Sequence, residues 1–122
     1  MNDELQLQIY GKPNADKGRG QWYLDVAAEA QKESGKHPQF RSPKASYVVD
    51  MDFFFQRPKT VKSKSHLTKP DLTRLEVTTL RALQPILIPD IKQVTYLRKR
   101  KSYAPKDDIR EGAVITITKL ED

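Results

Sequence analysis

Residues 45–55, ASYVVDMDFFF, decide the fold of this 122-residue chain. They are rich in β-branched and aromatic side chains, which predicts a strand inside a sheet. Because successive side chains of a strand lie on opposite faces, one alternating set is predicted to face a core, namely Val49, Met51, Phe53 and Phe55. Asp50 and Asp52 then lie together on the polar face, where their carboxylates are either solvated or converge on a metal ion.

Five more elements are predicted on the two sides of this strand. Residues 5–10 alternate apolar and polar side chains, whereas 21–33 and 71–83 carry apolar side chains at three- and four-residue spacing. In chain order, the predicted elements are a strand at 5–10, a helix at 21–33 that ends before Gly35, the strand at 45–55, a helix at 71–83, and strands at 93–103 and 113–118. This order predicts an α+β fold in a single domain over residues 1–122, with a mixed sheet and both helices on one face.

The composition excludes several classes of protein. The chain has no cysteine, which removes disulfide scaffolds, thiol catalysis and zinc fingers. Only His37 and His66 are available for a histidine-dependent site, and neither lies in a partner pattern. No apolar run reaches the roughly 18 residues of a membrane span, and the acidic start at residues 1–4 is unlike a signal peptide. We therefore expect no membrane segment and a cytoplasmic protein.

Basic residues outnumber acidic ones by 22 to 16, and the excess is concentrated in two segments. Residues 57–69 hold five basic side chains and no acidic one, and residues 98–101 are all basic. Such a local surplus is typical of a surface that binds phosphates, although one charged run is equally consistent with a solvated loop. Since a strand presents alternate side chains on one side, only the two arginines or only the two lysines of 98–101 face the DNA. The predicted DNA contacts from the two segments are Lys62, Lys64, Lys69, Arg98, Lys99, Arg100 and Lys101.

Four landmarks follow one another along the second half of the chain. They are Lys69-Pro70-Asp71-Leu72, Leu80-Arg81-Ala82-Leu83, Ile88-Pro89-Asp90 with Gln93-Val94, and a basic strand before a terminal Val-Ile-Thr-Ile strand. In this order they resemble the RusA-type Holliday junction resolvases, small homodimeric α/β nucleases that cut four-way DNA junctions with Mg²⁺. The resemblance implies a homodimer that binds branched DNA in recombination or repair, in a bacterial or phage-infected host cell. It also implies that Asp71 and Asp90 are the catalytic, Mg²⁺-binding carboxylates.

The chain departs from the resolvase pattern on one side of the predicted helix. Thr73 and Arg81 stand where the family has acidic residues, and Val77 stands where it has a lysine. Because these residues are four apart, they form one stripe, and by the resemblance that stripe faces the metal. Further departures are at Arg74, Ile91 and Lys92. Arg74 adds a cation beside Asp71, which predicts one more DNA contact.

The missing ligands are expected to remove most of the affinity for Mg²⁺, since carboxylates offset the cost of stripping water from the ion. Glu76 is predicted to lie on the apolar side of the helix and to point away from the stripe. One hypothesis is then a weakened, structure-selective endonuclease in which Asp71 and Asp90 hold a single Mg²⁺. The other is a nuclease-dead module that holds branched DNA or contacts a protein partner. Deliberate engineering of a resolvase is a third interpretation of the same pattern.

Overall fold

The sheet is built around the strand that the sequence marks most strongly. The computed structural model describes residues 3–15, 20–60, 65–104 and 110–121. Its elements are β1 (Asp3–Tyr10), α1 (Gln21–Lys36), β2 (Ser46–Phe55), α2 (Leu72–Leu83), β3 (Val94–Tyr103) and β4 (Gly112–Leu120). One 3₁₀ turn, Ile91–Gln93, precedes β3. All six predicted elements are confirmed.

The strand order across the sheet is β1-β4-β2-β3. β4 lies between β1 and β2 and is antiparallel to both, whereas β2 and β3 are parallel. A parallel pair needs a crossover between its strands, and α2 lies within that connection. The sheet is therefore mixed, as the element order predicts.

Burial alternates strictly along β2, where Val49, Met51 and Phe53 are fully buried and Asp50 and Asp52 are half-buried. The predicted assignment of the two faces is confirmed. Both helices cover the apolar face, and the core cluster takes Val26 from α1 and Leu75 from α2. Apolar burial of this kind, at about 25 cal/mol per Å², is the main force that holds such a sandwich together.

Two contacts of the Trp22 side chain fix α1 over the sheet and against α2. The indole N–H of Trp22 donates to the Thr79 hydroxyl at 3.1 Å in the interior. The same indole meets Phe53 of β2 edge-on, with ring centroids 6.3 Å apart. The described residues thus form one α+β unit around one core, as predicted.

The end of α1 differs from its prediction, because Gly35 lies inside the helix and does not end it. A glycine in a helix costs only about 1 kcal/mol relative to alanine, so it weakens a helix without stopping it. The last turn is supported by the Lys36 ammonium, 3.7 Å from the Glu33 carboxylate, and by the His37 N–H, which donates to the Glu33 carbonyl at 2.9 Å.

The second face of the sheet carries neither α1 nor α2. Its side chains include Tyr10 and Tyr96, both more than half exposed, together with Asp50 and Asp52. We call it the open face. No helix in the described part of the chain is long and apolar enough to cross a membrane.

Candidate nucleic-acid interface

Asp71 begins α2 and acts as its N-cap. Its Oδ1 accepts the backbone N–H of Arg74 at 2.9 Å, and its Oδ2 lies 3.6 Å from the Arg74 Nε. A carboxylate at this position satisfies one of the free N–H groups of the first turn and interacts favourably with the helix dipole. The contacts of Asp71 in this structure are therefore those of a cap.

Asp90 likewise acts as the N-cap of the 3₁₀ turn. Its Oδ1 accepts the Lys92 N–H at 2.9 Å, while the Gln93 Oε1 accepts the Asp90 N–H at 3.1 Å, which makes a capping box. The Gln93 amide also donates to the carbonyls of Ser42 and Ala45, both at 2.8 Å. Gln93 thus fastens the start of β3 to the loop before β2, and Asp90 caps the turn that carries Gln93.

The two carboxylates are not brought together. Gln84, at the C-terminal end of α2, accepts the N–H of Ile91 with its Oε1 at 3.0 Å, so Asp90 lies at that end while Asp71 lies at the other. Twelve helical residues span about 18 Å. Carboxylates that share one Mg²⁺ need to approach to roughly 4–5 Å, given Mg–O bonds near 2.1 Å.

The described residues therefore do not fit the Mg²⁺ that the resemblance implies. Asp71 and Asp90 lie too far apart for one ion, and each already accepts a backbone N–H. No group of three or more histidine, aspartate or glutamate side chains in the described ranges could hold a metal ion.

The outer side of α2 carries the stripe that departs from the resolvase pattern. Thr73, Val77 and Arg81 are all exposed. Glu76 points instead toward β3, where its Oε1 lies 2.6 Å from the Lys99 Nζ, with both side chains about three-quarters buried (28% and 21% exposed). The prediction that Glu76 points away from the stripe is confirmed, and its carboxylate is held by another residue.

Parallel pairing with β2 divides the basic run of β3 into two pairs. Lys99 and Lys101 stand opposite Met51 and Phe53 and thus lie on the helix side of the sheet. The Lys101 ammonium donates to the carbonyls of Thr68 and Pro70, at 2.8 and 3.0 Å. The two lysines therefore fasten β3 to α2 and to the segment that leads into it.

The other two members of the run lie on the open face. Arg98 stands opposite Asp50 and Arg100 opposite Asp52, and the Arg100 Nε donates to the Asp52 Oδ1 at 2.9 Å. These four side chains line a small depression of about 100 Å³. The four basic residues that follow one another in the sequence thus do not make one cationic surface.

A different set of cations surrounds α2. Lys69 and Arg74 are exposed at its start, Arg81 is exposed on its outer side, and Lys92 is exposed beside its far end. We call these four residues with Val77 the α2 surface. Nearby acids are the caps Asp71 and Asp90. The predicted contacts Lys62 and Lys64 lie outside the described residues.

The sequence missed the role of His66. Its imidazole stacks on Phe55 with centroids 4.0 Å apart and meets the edge of Tyr103 at 5.2 Å. Phe55 ends β2 and Tyr103 ends β3, and neighbouring parallel strands place these aromatic ends side by side. An aromatic residue at the end of each strand was the only signal available, because the position of the histidine depends on a loop.

Comparison with known proteins does not assign a family. No protein-family model matches this chain, and no curated protein matches it either. The resemblance to the resolvases therefore rests on the landmarks in the sequence.

Proposed function

We propose that the protein binds branched DNA of the Holliday-junction type through phosphate contacts, with metal-dependent cleavage weakened or lost. It acts as a homodimer in recombination or repair, in the cytoplasm of a bacterial or phage-infected cell. The α2 surface supplies the phosphate contacts. A four-way junction and a homodimer both have two-fold symmetry, so the two cationic surfaces of the dimer suit the junction.

The retained landmark residues and the replaced ones differ in what they do in the structure, and this difference supports the proposal. Asp71, Asp90 and Gln93 are retained, and each makes capping hydrogen bonds that the fold needs whether or not DNA is cut. The departures at Thr73, Val77 and Arg81 fall on exposed positions of α2, where they disturb no packing. The residues that the fold needs are kept, and the other positions that the resemblance assigns to the metal site are replaced, which is the pattern of a scaffold that has lost cleavage.

The charges of α2 favour phosphate as the ligand. Arg81 stands where an acid would repel the DNA backbone, and Arg74 presents a guanidinium about two helical turns away on the same side of α2. Arginine donates in a planar fork that matches two phosphate oxygens, so the exchange of acid for arginine turns a metal-binding side into a phosphate-binding one. Val77 between them supplies no hydrogen bond, which removes the means to stabilise charge that develops during cleavage.

A binding assay with a labelled four-way junction and a linear duplex of the same arm sequence tests the proposal. The expected result is tighter binding of the junction with EDTA present, a steep fall in affinity as salt rises, and intact DNA after incubation with excess protein and Mg²⁺ or Mn²⁺. Efficient cleavage would overturn the loss of activity. Equal affinity for the duplex would overturn the preference for branched DNA.

A protein-binding module is the second candidate, and exposed apolar side chains around α2 favour it. Leu67 is 77% exposed, Val77 41% and Ile91 37%. A protein contact through these residues depends on apolar area and hardly on salt, whereas phosphate binding loses affinity steeply. A flat salt dependence in the same assay would therefore support this candidate against the first.

A further inference from the structure

His66 is a buried ionisable group on which the proposed function does not depend. Its side chain is 7% exposed, within the stack against Phe55 and Tyr103. The Nε2 lies 3.4 Å from the Thr68 hydroxyl, and the Nδ1 is buried without a hydrogen-bond partner in the structure. A buried ring nitrogen without a partner has lost its hydrogen bonds to water, so the aromatic stack must offset this desolvation.

The charges that face the ring oppose its protonation. Burial lowers the pKa of His66, and the Lys101 ammonium on β3 lowers it further. The carboxylate of Glu111, before β4, acts weakly in the opposite direction. Arg57, which follows β2, stands over the Tyr103 ring at 5.7 Å and adds another cation to the same cluster. The site therefore suits a neutral imidazole.

The segment that His66 holds is the one that leads into α2. Lys101 donates to the carbonyls of Thr68 and Pro70, on either side of the exposed Lys69. Asp71 caps the helix directly afterwards. The ring and the ammonium thus fasten residues 65–70 to the ends of β2 and β3, and this attachment orients Lys69 at the α2 surface.

We propose that His66 is a positioning residue whose neutral ring docks residues 65–70 on Phe55 and Tyr103, and that protonation of the ring releases this segment. Release of this segment moves Lys69 out of its position at the start of the α2 surface. The consequence for DNA rests on the proposed function, whereas the docking itself does not.

The stability of docking depends on pH because the docked and released states of His66 bind protons differently. A histidine with a lowered pKa when docked binds more protons when released, so docking is fully stable above the ordinary value of 6.5. As pH falls below that value, the released segment gains protons first and docking loses stability. Protonation therefore favours release on the acid side of neutrality.

NMR titration of the intact chain without DNA tests the docking. The His66 imidazole is expected to titrate with a midpoint below 6.5. The backbone amides of Thr68 and Lys69 are expected to shift with the same midpoint. His66→Phe is the matched control, because a phenyl ring keeps the stack on Phe55 and carries no proton. In this variant the two amides are expected to be insensitive to pH over the same range.

Three outcomes would overturn the inference. They are a His66 midpoint at or above 6.5, amides that stay fixed while His66 titrates, and an unchanged amide transition in His66→Phe. The wild-type titration stands alone if the variant fails to fold. Junction affinity measured at about pH 7.5 and about pH 5.5 then reports the consequence, with His66→Phe expected to lose less affinity than wild type at the lower pH. If the chain binds no DNA, only the proposed function and this last measurement are contradicted, whereas the NMR titration still tests the docking of residues 65–70.

Discussion

The α2 surface and the open face of the sheet carry the same kind of side chain in different surroundings. Arg74 and Arg81 stand on a helix whose neighbouring acids are caps at the two ends. Arg98 and Arg100 stand on β3, each directly opposite an aspartate of β2. The comparison shows that a run of basic residues makes a cationic surface only if the neighbouring element does not supply matching acids.

The difference follows from the parallel pairing of β2 and β3. Neighbouring strands lie about 4.8 Å apart, well within the reach of an arginine. The alternating acids of β2 and the alternating arginines of β3 therefore meet on the same face and cancel much of the charge. On the α2 surface Asp71 lies 3.6 Å from Arg74 and Asp90 lies 3.8 Å from Lys92, but these two acids stand beside four cations, so a positive excess remains for a ligand.

The largest expected effect is on the salt dependence of DNA binding, and it distinguishes the α2 surface from the open face as the DNA-binding site. Arg74→Ala with Arg81→Ala and Lys92→Ala is expected to reduce the slope of log affinity against log salt by about 2.7, since each phosphate contact contributes about 0.9. Fluorescence anisotropy with a labelled junction measures the slope. The matched control is Arg98→Ala with Arg100→Ala, which should change the slope by less than about 0.9. A greater loss in the control would place the interface on the open face.

The next effect concerns the lysine that lies on the helix side of β3. Lys99→Ala leaves the Glu76 carboxylate partly buried without its partner and is expected to lower the free energy of unfolding by about 1–2 kcal/mol. Arg98→Ala, one residue away on the open face, should change it by no more than about 0.5 kcal/mol. Urea unfolding measures both. Equal losses would contradict the assignment of the two sides of β3.

A smaller effect distinguishes a cap from a metal ligand at Asp71. Asp71→Ala is expected to cost about 1 kcal/mol of stability, because the first turn of α2 loses its acceptor. Asp71→Asn keeps a capping oxygen and should lose only a few tenths of a kcal/mol. Excess Mg²⁺ should shift the thermal midpoints of wild type and Asp71→Asn equally. Selective stabilisation of the wild type by Mg²⁺ would restore Asp71 as a ligand.

The smallest effect is expected at the ion pair of the open face. Arg100 and Asp52 are joined at 2.9 Å, but the arginine side chain is largely exposed. A double-mutant cycle with Arg100→Ala and Asp52→Ala should give a coupling below about 1 kcal/mol that falls as salt rises. A larger coupling that persists in high salt would mean that the open face is covered and desolvated.

The elements of the fold were readable from local pattern. The alternation in residues 45–55 predicts both the strand and its buried face, because the pleat repeats every two residues whatever the strand pairs with. The apolar spacing of 71–83 likewise predicts α2 and its packing side. The prediction that Gly35 ends α1 is wrong, because a glycine weakens a helix by only about 1 kcal/mol and α1 continues to Lys36.

The candidate site was less readable, because the same residue types serve both structure and function. Asp71 and Asp90 match the landmarks of a nuclease, yet both also match helix-start signals, and sequence alone cannot weigh a cap against a ligand. Their separation by the length of α2 depends on the tertiary contact between Gln84 and Ile91, which no local pattern encodes. The position of His66 within an aromatic stack was similarly hidden in a polar loop.

The sequence by itself determined the elements, the buried faces and the concentration of cations in the second half of the chain. These are properties of periodicity and composition, which act over a few residues. Only the tertiary structure decided which cations are matched by acids, since the register of β2 against β3 sets Asp50 opposite Arg98. It also decided that Lys99 and Lys101 bind α2 and its leading segment. Electrostatic function depends on distances between elements, and those distances exist only after the chain has folded.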